Sequence, residues 1–408
     1  MASQQEFNAR LRLVASRFFL SENRSMADLD RILPLWRELD SAGADYVLAT
    51  VVAVEGSSYR RPGACMMLAP DGRRAGTVSG GCLEGEVARR AWWLTANGPI
   101  VHRYSTAEED GERPYGSGCG GVIWLLLERP PTAAPLLNAL QHSFHRRTPL
   151  AVAAILEGEH IGRRAFAGLE PSPASLSVPA PLQFLAEQTL ETKASIDEMI
   201  AIEGVQTRAW TNFRPARPGL WIFGAGDDAQ PLVRLAKELG WFVTVADGRS
   251  QLVARERFPL ADELHVLPVK ELPANPADGP IPALAQLRPH DAAVLMTHSF
   301  EQDSRVLASL LAVNEQPAYI GVLGPQRRTR ELLAEAAQLL HLPADTLSSG
   351  PQIERWLQQL HAPTGLDLGA ESPETVALSI LAEILKSCNA ATALPLRQVR
   401  ATSQAATR

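Results

Sequence analysis

Two glycine-rich turns that each hold a cysteine lie in the first third of this 408-residue chain: Ser79-Gly80-Gly81-Cys82-Leu83-Glu84 and Gly116-Ser117-Gly118-Cys119-Gly120-Gly121. Glycine admits positive φ and close backbone approach, so successive N–H groups in such a turn can point into one concavity and favour an anion. A cysteine among those dipoles gives up its proton more easily and offers a soft ligand for a metal or for sulfur transfer, which makes Cys82 and Cys119 the candidate metal or sulfur contacts. Cysteine is also common as a small buried hydrophobe, and for either residue alone that reading stays open. Cys65, inside an apolar run, and Cys388, at a helix end, read as structural.

A third glycine turn, Gly224-Ala225-Gly226-Asp227-Asp228-Ala229, follows an apolar stretch and opens a helical one, the context of a dinucleotide-binding turn with alanine in the third position. Asp247 closes the next strand 23 positions after Gly224, where an acid that bonds ribose hydroxyls belongs. Asp227 and Asp228 set two negative charges beside the expected pyrophosphate, so a Rossmann-like unit without nicotinamide stands open beside one that binds NAD(P). Loops at the carboxyl ends of the later strands carry Arg249, His298, Arg327 and Arg328. In an open α/β sheet those ends share one edge, where guanidinium forks match phosphate oxygens. Solvated arginines and a loop-ordering histidine are the plainer alternatives. Ser57, Ser58 and Arg60 form a further hydroxyl-and-arginine loop suited to phosphate or simply facing water.

The elements that must position these residues follow from periodicity. Leu29, Ile32, Leu33 and Trp36 predict a helix over 26–39, and the β-branched run 46–54 predicts a strand buried on both faces. A hairpin of 64–68 and 73–78 around Pro70-Asp71-Gly72 feeds the first cysteine turn, and a helix over 83–94 puts Cys82 at its N-terminus. Strands over 100–104 and 122–128 flank the second turn. Residues 130–135 read as a break, 151–156 with 161–166 as a hairpin around Gly158, and 172–181 as a loop. Arg214-Pro215-Ala216-Arg217-Pro218-Gly219 reads as the linker between an N-terminal mixed α/β domain, 1–215, and a C-terminal domain, 219–408. Beyond it, strands at 220–223, 242–246, 264–267, 292–297 and 318–323 alternate with helices around 229–239, 304–312 and 329–340. That alternation predicts a Rossmann-like, doubly wound parallel sheet. Ser372-Pro373-Glu374 opens a last helix through 386.

Bulk properties narrow the partners. A net charge of -6 gives no basic excess for nucleic acid, and 46% hydrophobic with 21% charged residues fits a folded core rather than disorder. Four cysteines without CxxC spacing support neither a disulfide scaffold nor a zinc finger and suit a cytoplasmic protein with reduced thiols. Apolar runs such as 46–54 fall short of the roughly 20 residues that span a bilayer. Arg17 interrupts the apolar patch Phe18-Phe19-Leu20, so the first residues read as an arm or amphipathic helix rather than a signal peptide.

The motifs Val54-Glu55-Gly56-Ser57-Ser58-Tyr59-Arg60-Arg61-Pro62-Gly63, Ser79-Gly80-Gly81-Cys82-Leu83-Glu84, Gly118-Cys119-Gly120-Gly121, Phe223-Gly224-Ala225-Gly226, Thr297-His298, Tyr319-Ile320-Gly321-Val322-Leu323-Gly324 and Gly365-Leu366-Asp367-Leu368-Gly369-Ala370 together resemble the XdhC/CoxI family of xanthine dehydrogenase accessory proteins. The resemblance runs from about residue 48 to 386 in the family's motif order. It departs at Gly324-Pro325-Gln326, where the family usually has glycine then serine, and at Ser299, where an acid is frequent. The resemblance implies a chaperone, not an enzyme, that binds the molybdenum cofactor as molybdopterin or its cytosine dinucleotide. It implies help for a cysteine desulfurase in exchanging an oxo for a sulfido ligand, and delivery to an apo molybdenum hydroxylase such as xanthine dehydrogenase. A homodimer is compatible with such a carrier, and no nucleic acid or membrane partner is expected. The competing expectation is an NAD(P)-dependent oxidoreductase built on the dinucleotide turn, with His298 as its one proton-transfer candidate.

Overall fold

In a computed structural model, residues 26–56, 58–105, 121–169, 178–273, 281–313, 315–342 and 351–399 are described. The chain divides into two compact units between Arg217 and Pro218.

The first unit opens with α1 (Met26–Ser41), whose Leu29, Ile32, Leu33 and Trp36 are buried along one stripe. Strands β1 (Val47–Glu55), β2 (Cys65–Leu68) and β3 (Arg74–Gly76) lead into α2 (Glu84–Leu94), followed by β4 (Ile100–Ser105) and β5 (Val122–Glu128). These strands form one antiparallel sheet in the order β3-β2-β1-β5-β4. Its two faces follow the strand period of two. Val47, Ala49, Val51, Leu125 and Leu127 face Leu83, Val87 and Ala91 at the start and along α2, whereas Leu48 and Met67 face α1. The glycine-cysteine turn thus runs straight into a helix clamped on the sheet.

A second layer begins with α3 (Pro130–Arg146), then β6 (Leu150–Ile155), β7 (Arg164–Ala167), α4 (Ala180–Thr192), β8 (Asp197–Ile202) and β9 (Val205–Arg214), the strands pairing antiparallel as β7-β6-β9-β8. The expected break at 130–135 is instead the first turn and a half of α3. Pro130 and Pro131 occupy positions whose amides have no intrahelical partner, so proline costs nothing there. Residues 214–217 are likewise no slack spacer. Arg214 and Arg217 are buried, and the Arg217 guanidinium lies 4.0 Å from the centre of the Phe144 ring.

The second unit contains β10 (Gly219–Phe223), α5 (Ala229–Glu238), β11 (Phe242–Asp247), β12 (Glu263–Val266), β13 (Ala292–Leu295), α6 (Phe300–Ala312), β14 (Tyr319–Val322), α7 (Gln326–Leu339), α8 (Pro351–Gln359) and α9 (Pro373–Cys388). All five strands are parallel in the order β12-β11-β10-β13-β14, the Rossmann-like sheet expected from the alternation. Apolar side chains cover both faces, Phe223 and Leu295 on one and Ile222 and Val294 on the other. Ser372 caps α9 in a reciprocal capping box with Thr375. Among the described residues no helix is long and apolar enough to cross a membrane.

Among the described residues of the first unit, Glu128 and Arg164 form a buried ion pair whose side chains are 0% and 2% exposed. Arg164 Nη1 also donates to the carbonyls of Thr132 and Gly162. Breaking such a pair from one side leaves a buried charge alone, so Arg164→Met is expected to cost about 3–5 kcal/mol, while Arg164→Met with Glu128→Leu recovers most of it. Urea unfolding of the two variants checks this, and equal losses would refute it.

Candidate functional site

The first cysteine turn is built around a serine and a glutamate. Glu84, the first residue of α2, folds its carboxylate back so that Oε1 accepts from the Ser79 amide at 2.8 Å and the Val78 amide at 3.2 Å. Its Oε2 accepts from Ser79 Oγ at 2.5 Å. Ser79 Oγ in turn accepts from the amides of Gly81 (3.1 Å) and Leu83 (3.2 Å). The turn amides expected to cradle a ligand anion are therefore largely taken by an anion of the protein's own. Among the described residues, the amides of Gly80 and Cys82 are the ones this arrangement leaves over. Gly81 has φ +113 with open space around it, a backbone setting that favours glycine.

Cys82 lies two residues before α2, with Leu83 as the cap residue. It is half-buried, packs against the core under α2, and its thiol faces Ser79 Oγ at 3.6 Å. Burial works to raise the Glu84 carboxyl, but the hydrogen bonds from Ser79 and Val78 outweigh it and hold the group below its ordinary 4.5. A thiol beside a fixed, ionised carboxylate network has a defined position and an exposed glycine rim, the geometry for contacting a bound molecule. Cys65 is different: it is wholly buried, burial pushes its thiol up, and Thr50, Gly63 and Arg214 surround it.

Arg60 and Ser58, expected to meet phosphate, are engaged inside the protein. Arg60 pairs with Asp28 at 3.1 Å and bonds Thr77, with its side chain 12% exposed, while Ser58 Oγ donates to the Arg60 carbonyl at 3.0 Å. Their physical role in the structure is to tie the loop after β1 to α1 and to the approach to the cysteine turn. Ser57, Gly118, Cys119 and Gly120 lie outside the described residues.

In the second unit the dinucleotide-type turn has the expected backbone. Gly224 has φ +134, and a Cβ there would lie 2.7 Å from the Met296 carbonyl oxygen, so the close approach of β10 to β13 excludes any side chain. Asp247 departs from its expected role. Its side chain is 1% exposed, Oδ2 accepts from the Ala225 amide at 2.8 Å and from Arg249 Nη2 at 2.8 Å, and Oδ1 accepts from Arg249 Nε at 3.0 Å and the Arg249 amide at 2.9 Å. An acid so committed braces the turn rather than offering oxygens to a ribose. Burial raises the Asp247 carboxyl, yet the Arg249 guanidinium and the two amides bring it below its ordinary 3.8.

The other expected contacts separate. Arg328 reaches inward, pairing with buried Asp303 at 2.6 Å, and Asp303 also accepts from Thr297 Oγ1 at 2.7 Å, so Arg328 fastens the loop after β13. Arg327 points to solvent, 89% exposed, beside Glu331. His298 is exposed in the same loop, Arg249 stays 42% exposed despite its pair, and Gly226 lies against the Asp228 carboxylate. The charge of Asp227 is answered by Arg257 at 2.8 Å. Sequence reasoning missed Arg257, which lies 30 positions away with no local pattern to announce it. It also missed the Ser79–Glu84 link, for which the serine-to-glutamate spacing across the turn was the available signal. Among the described residues no group of three His, Cys, Asp or Glu side chains gathers as a metal site.

Because the Asp247 carboxyl is held below 3.8, its stabilisation is complete above that pH and is lost as pH falls through the lowered value. Asp247→Asn is expected to destabilise the protein at pH 7 by about 2 kcal/mol. That difference from the parent should shrink on acidification. Unfolding measured at several pH values reads both effects, and a loss that grows as pH falls would be the wrong sign.

Comparison with known proteins places this architecture. Residues 220–384 match the XdhC Rossmann domain and residues 39–105 match the XdhC and CoxI family. A Bacillus subtilis (strain 168) protein, named as a probable subunit of xanthine dehydrogenase, is 30% identical over 349 residues, covering 84% of this chain and 92% of that protein. The Escherichia coli (strain K12) protein named "Molybdenum cofactor insertion chaperone PaoD" is 26% identical over 352 residues, 84% of this chain and 83% of its own. A crystal structure from Bacillus halodurans, titled as a xanthine dehydrogenase, superposes with a TM-score of 0.64 at 28% identity, covering 88% of this chain and 96% of that one. With a Rossmann-like sheet of matching sequence, a glycine-cysteine turn before it and relatives aligned over most of their lengths, the chain belongs to the XdhC and CoxI family.

Proposed function

We propose that this protein is an accessory factor, not an enzyme, that holds a molybdenum cofactor and passes it to an apo molybdenum hydroxylase of the xanthine dehydrogenase kind. The observation that carries this reading is Cys82: a half-buried thiol fixed by Ser79 at an exposed glycine rim. One thiolate cannot hold a bare metal ion tightly, but it can complete the shell of a molybdenum that arrives with its own sulfur and oxygen ligands, and soft sulfur suits that partner. Relatives named for xanthine dehydrogenase and for molybdenum cofactor insertion support the same cargo and client. Cys119 is the second proposed contact.

Transfer of a sulfido ligand from a cysteine desulfurase while the cofactor is held, storage as molybdopterin or its cytosine dinucleotide, and a cytoplasmic homodimer complete the proposal. Within the second unit by itself, the exposed groups Arg249, Arg327 and His298 are proposed as contacts for an anionic ligand. The NAD(P) alternative is weakened by Asp247, because its two carboxylate oxygens already accept four hydrogen bonds.

Protein purified anaerobically from cells that make molybdopterin is expected to carry molybdenum together with the pterin. Cys82→Ser should retain at least about tenfold less, given that even outer-shell partners change metal affinity on that scale, while Cys388→Ser retains as much as the parent. Elemental analysis and the fluorescence of the oxidised pterin report the content. A Cys82→Ser protein as fully loaded as the parent, or a parent without molybdenum but with NAD(P)H turnover, would overturn the proposal.

A further inference from the structure

The seam between the two antiparallel sheets of the first unit holds a cavity of about 390 Å³, mostly apolar, whose lining includes Trp124 and two charged residues, Glu157 and Arg208. We infer that this cavity binds a flat fused heteroaromatic ring through an amino-oxo-pyrimidine edge, the edge that a pterin and a guanine share. Trp124 covers the face of the ring, Glu157 accepts from its adjacent N–H donors, and Arg208 donates to its oxo group. The site is separate from the sulfur turn. Cys82 packs with Val51 and Leu125 on one face of the first sheet, whereas Val52 and Leu126 pack with Trp124 on the other.

The walls are built rather than incidental. The pairing of β1 with β5 shifts register between Val51 and Ala53, and Val52 and Ala53 both line the cavity. Such bulges re-aim side chains and are common beside binding sites. Across the seam the turn after β6 is fixed to β9, since the Leu156 amide donates to the Arg208 carbonyl at 2.9 Å and Thr207 Oγ1 donates to the Glu157 carbonyl at 3.1 Å. Gly158 then reverses the chain at φ +79 with open space around it, so the lip beside Glu157 carries no side chain there. A cavity of this size is at the small end of ligand sites, about 300 to 1,000 Å³, which suits two fused rings better than a dinucleotide.

The polar groups select the edge. Arg208 holds Asp197 through Nε at 2.9 Å and through Nη2, which leaves the Nη1 donors of its fork for another acceptor. Asp197, Glu157 and Glu55 act together on this guanidinium and hold its proton more tightly. Glu157 is exposed, and among the described residues its carboxylate enters no ion pair, although it lines the same cavity as Arg208. Opposite charges that face one cavity without touching leave room for a group that bridges them. A ligand phosphate or carboxylate would meet the charge of Glu157, whereas a row of two donors and one acceptor satisfies both residues.

Isothermal titration calorimetry on the full chain tests this with hydroxymethylpterin and guanosine. Their matched controls are lumazine, which has an oxo group where the pterin has an amino group, and inosine, which lacks the amino group of guanosine. One of the two amino ligands is expected to bind at least about tenfold more tightly than its own control, because a hydrogen bond to a charged group is lost in the control. Whichever amino ligand binds more tightly identifies the source of the ring. Glu157→Gln should weaken that ligand about tenfold and narrow its lead over the control, since a carboxamide can donate to the added oxo group. Trp124→Leu should weaken ligand and control alike, also about tenfold. Cys82→Ser should bind the ring as the parent does. No binding of either amino ligand at millimolar concentration, a control as tight as its partner, or full affinity in Glu157→Gln or Trp124→Leu overturns the inference, and a loss in Cys82→Ser overturns the placement. Should Trp124→Leu not fold, the matched controls and Glu157→Gln, a change at an exposed side chain, decide alone.

Discussion

A buried carboxylate that claims the amides of a glycine turn is the constraint on which both halves of this protein depend. In the first unit it is Glu84, bound to Val78, Ser79 and, through Ser79, to Gly81 and Leu83. In the second it is Asp247, bound to Ala225 and to both the backbone and side chain of Arg249. The physics is the same in each. A turn that converges its N–H groups must satisfy them when they are shielded from water, and an internal anion does so without waiting for a ligand. Each acid has become harder to protonate as a result.

This changes what the turns can do. Glycine-rich turns of this kind are generally thought of as open cradles for phosphate, yet here the cradle amides are mostly engaged and the functional group presented is the cysteine thiol beside them. Rigidity is the benefit. With Ser79 bonded to amides on both sides of Cys82, the sulfur is held in one place against the core beneath α2, and Gly81 beside it faces open space while Gly80 lies against the Tyr59 ring. In the proposed role, a carrier of a reactive cofactor needs a sulfur whose position is fixed, and the link from Glu84 through Ser79 to the Cys82 thiol supplies that.

Much of the fold was legible because its signals are local. The strand-turn-helix around Gly224, the stripe of Leu29, Ile32, Leu33 and Trp36, and the Ser372 cap each announce themselves within a few residues. Helix α3 was missed because two prolines read as a break when they occupy the first turn, and α4, β8, β9 and α8 carried weaker patterns. The site was legible only in part. The position of Cys82 in an exposed glycine turn follows from residue types, but the partners of Asp28, Asp227 and Asp303 are arginines 25 to 32 positions away, a distance at which no periodicity speaks. Asp247 shows the converse. Its position at the end of β11 was clear from the pattern, while its commitment to Arg249, only two residues on, depended on which way the guanidinium turns.

The most direct test of internal carboxylates as the braces of both turns is residue-resolved amide hydrogen exchange on the full chain. The account requires the amides of Val78, Ser79, Gly81, Leu83 and Ala225 to exchange slowly in the parent, the first four to quicken in Glu84→Ala and Ala225 alone to quicken in Asp247→Ala. Fast exchange of these amides in the parent, or no response to loss of either acid, would contradict it.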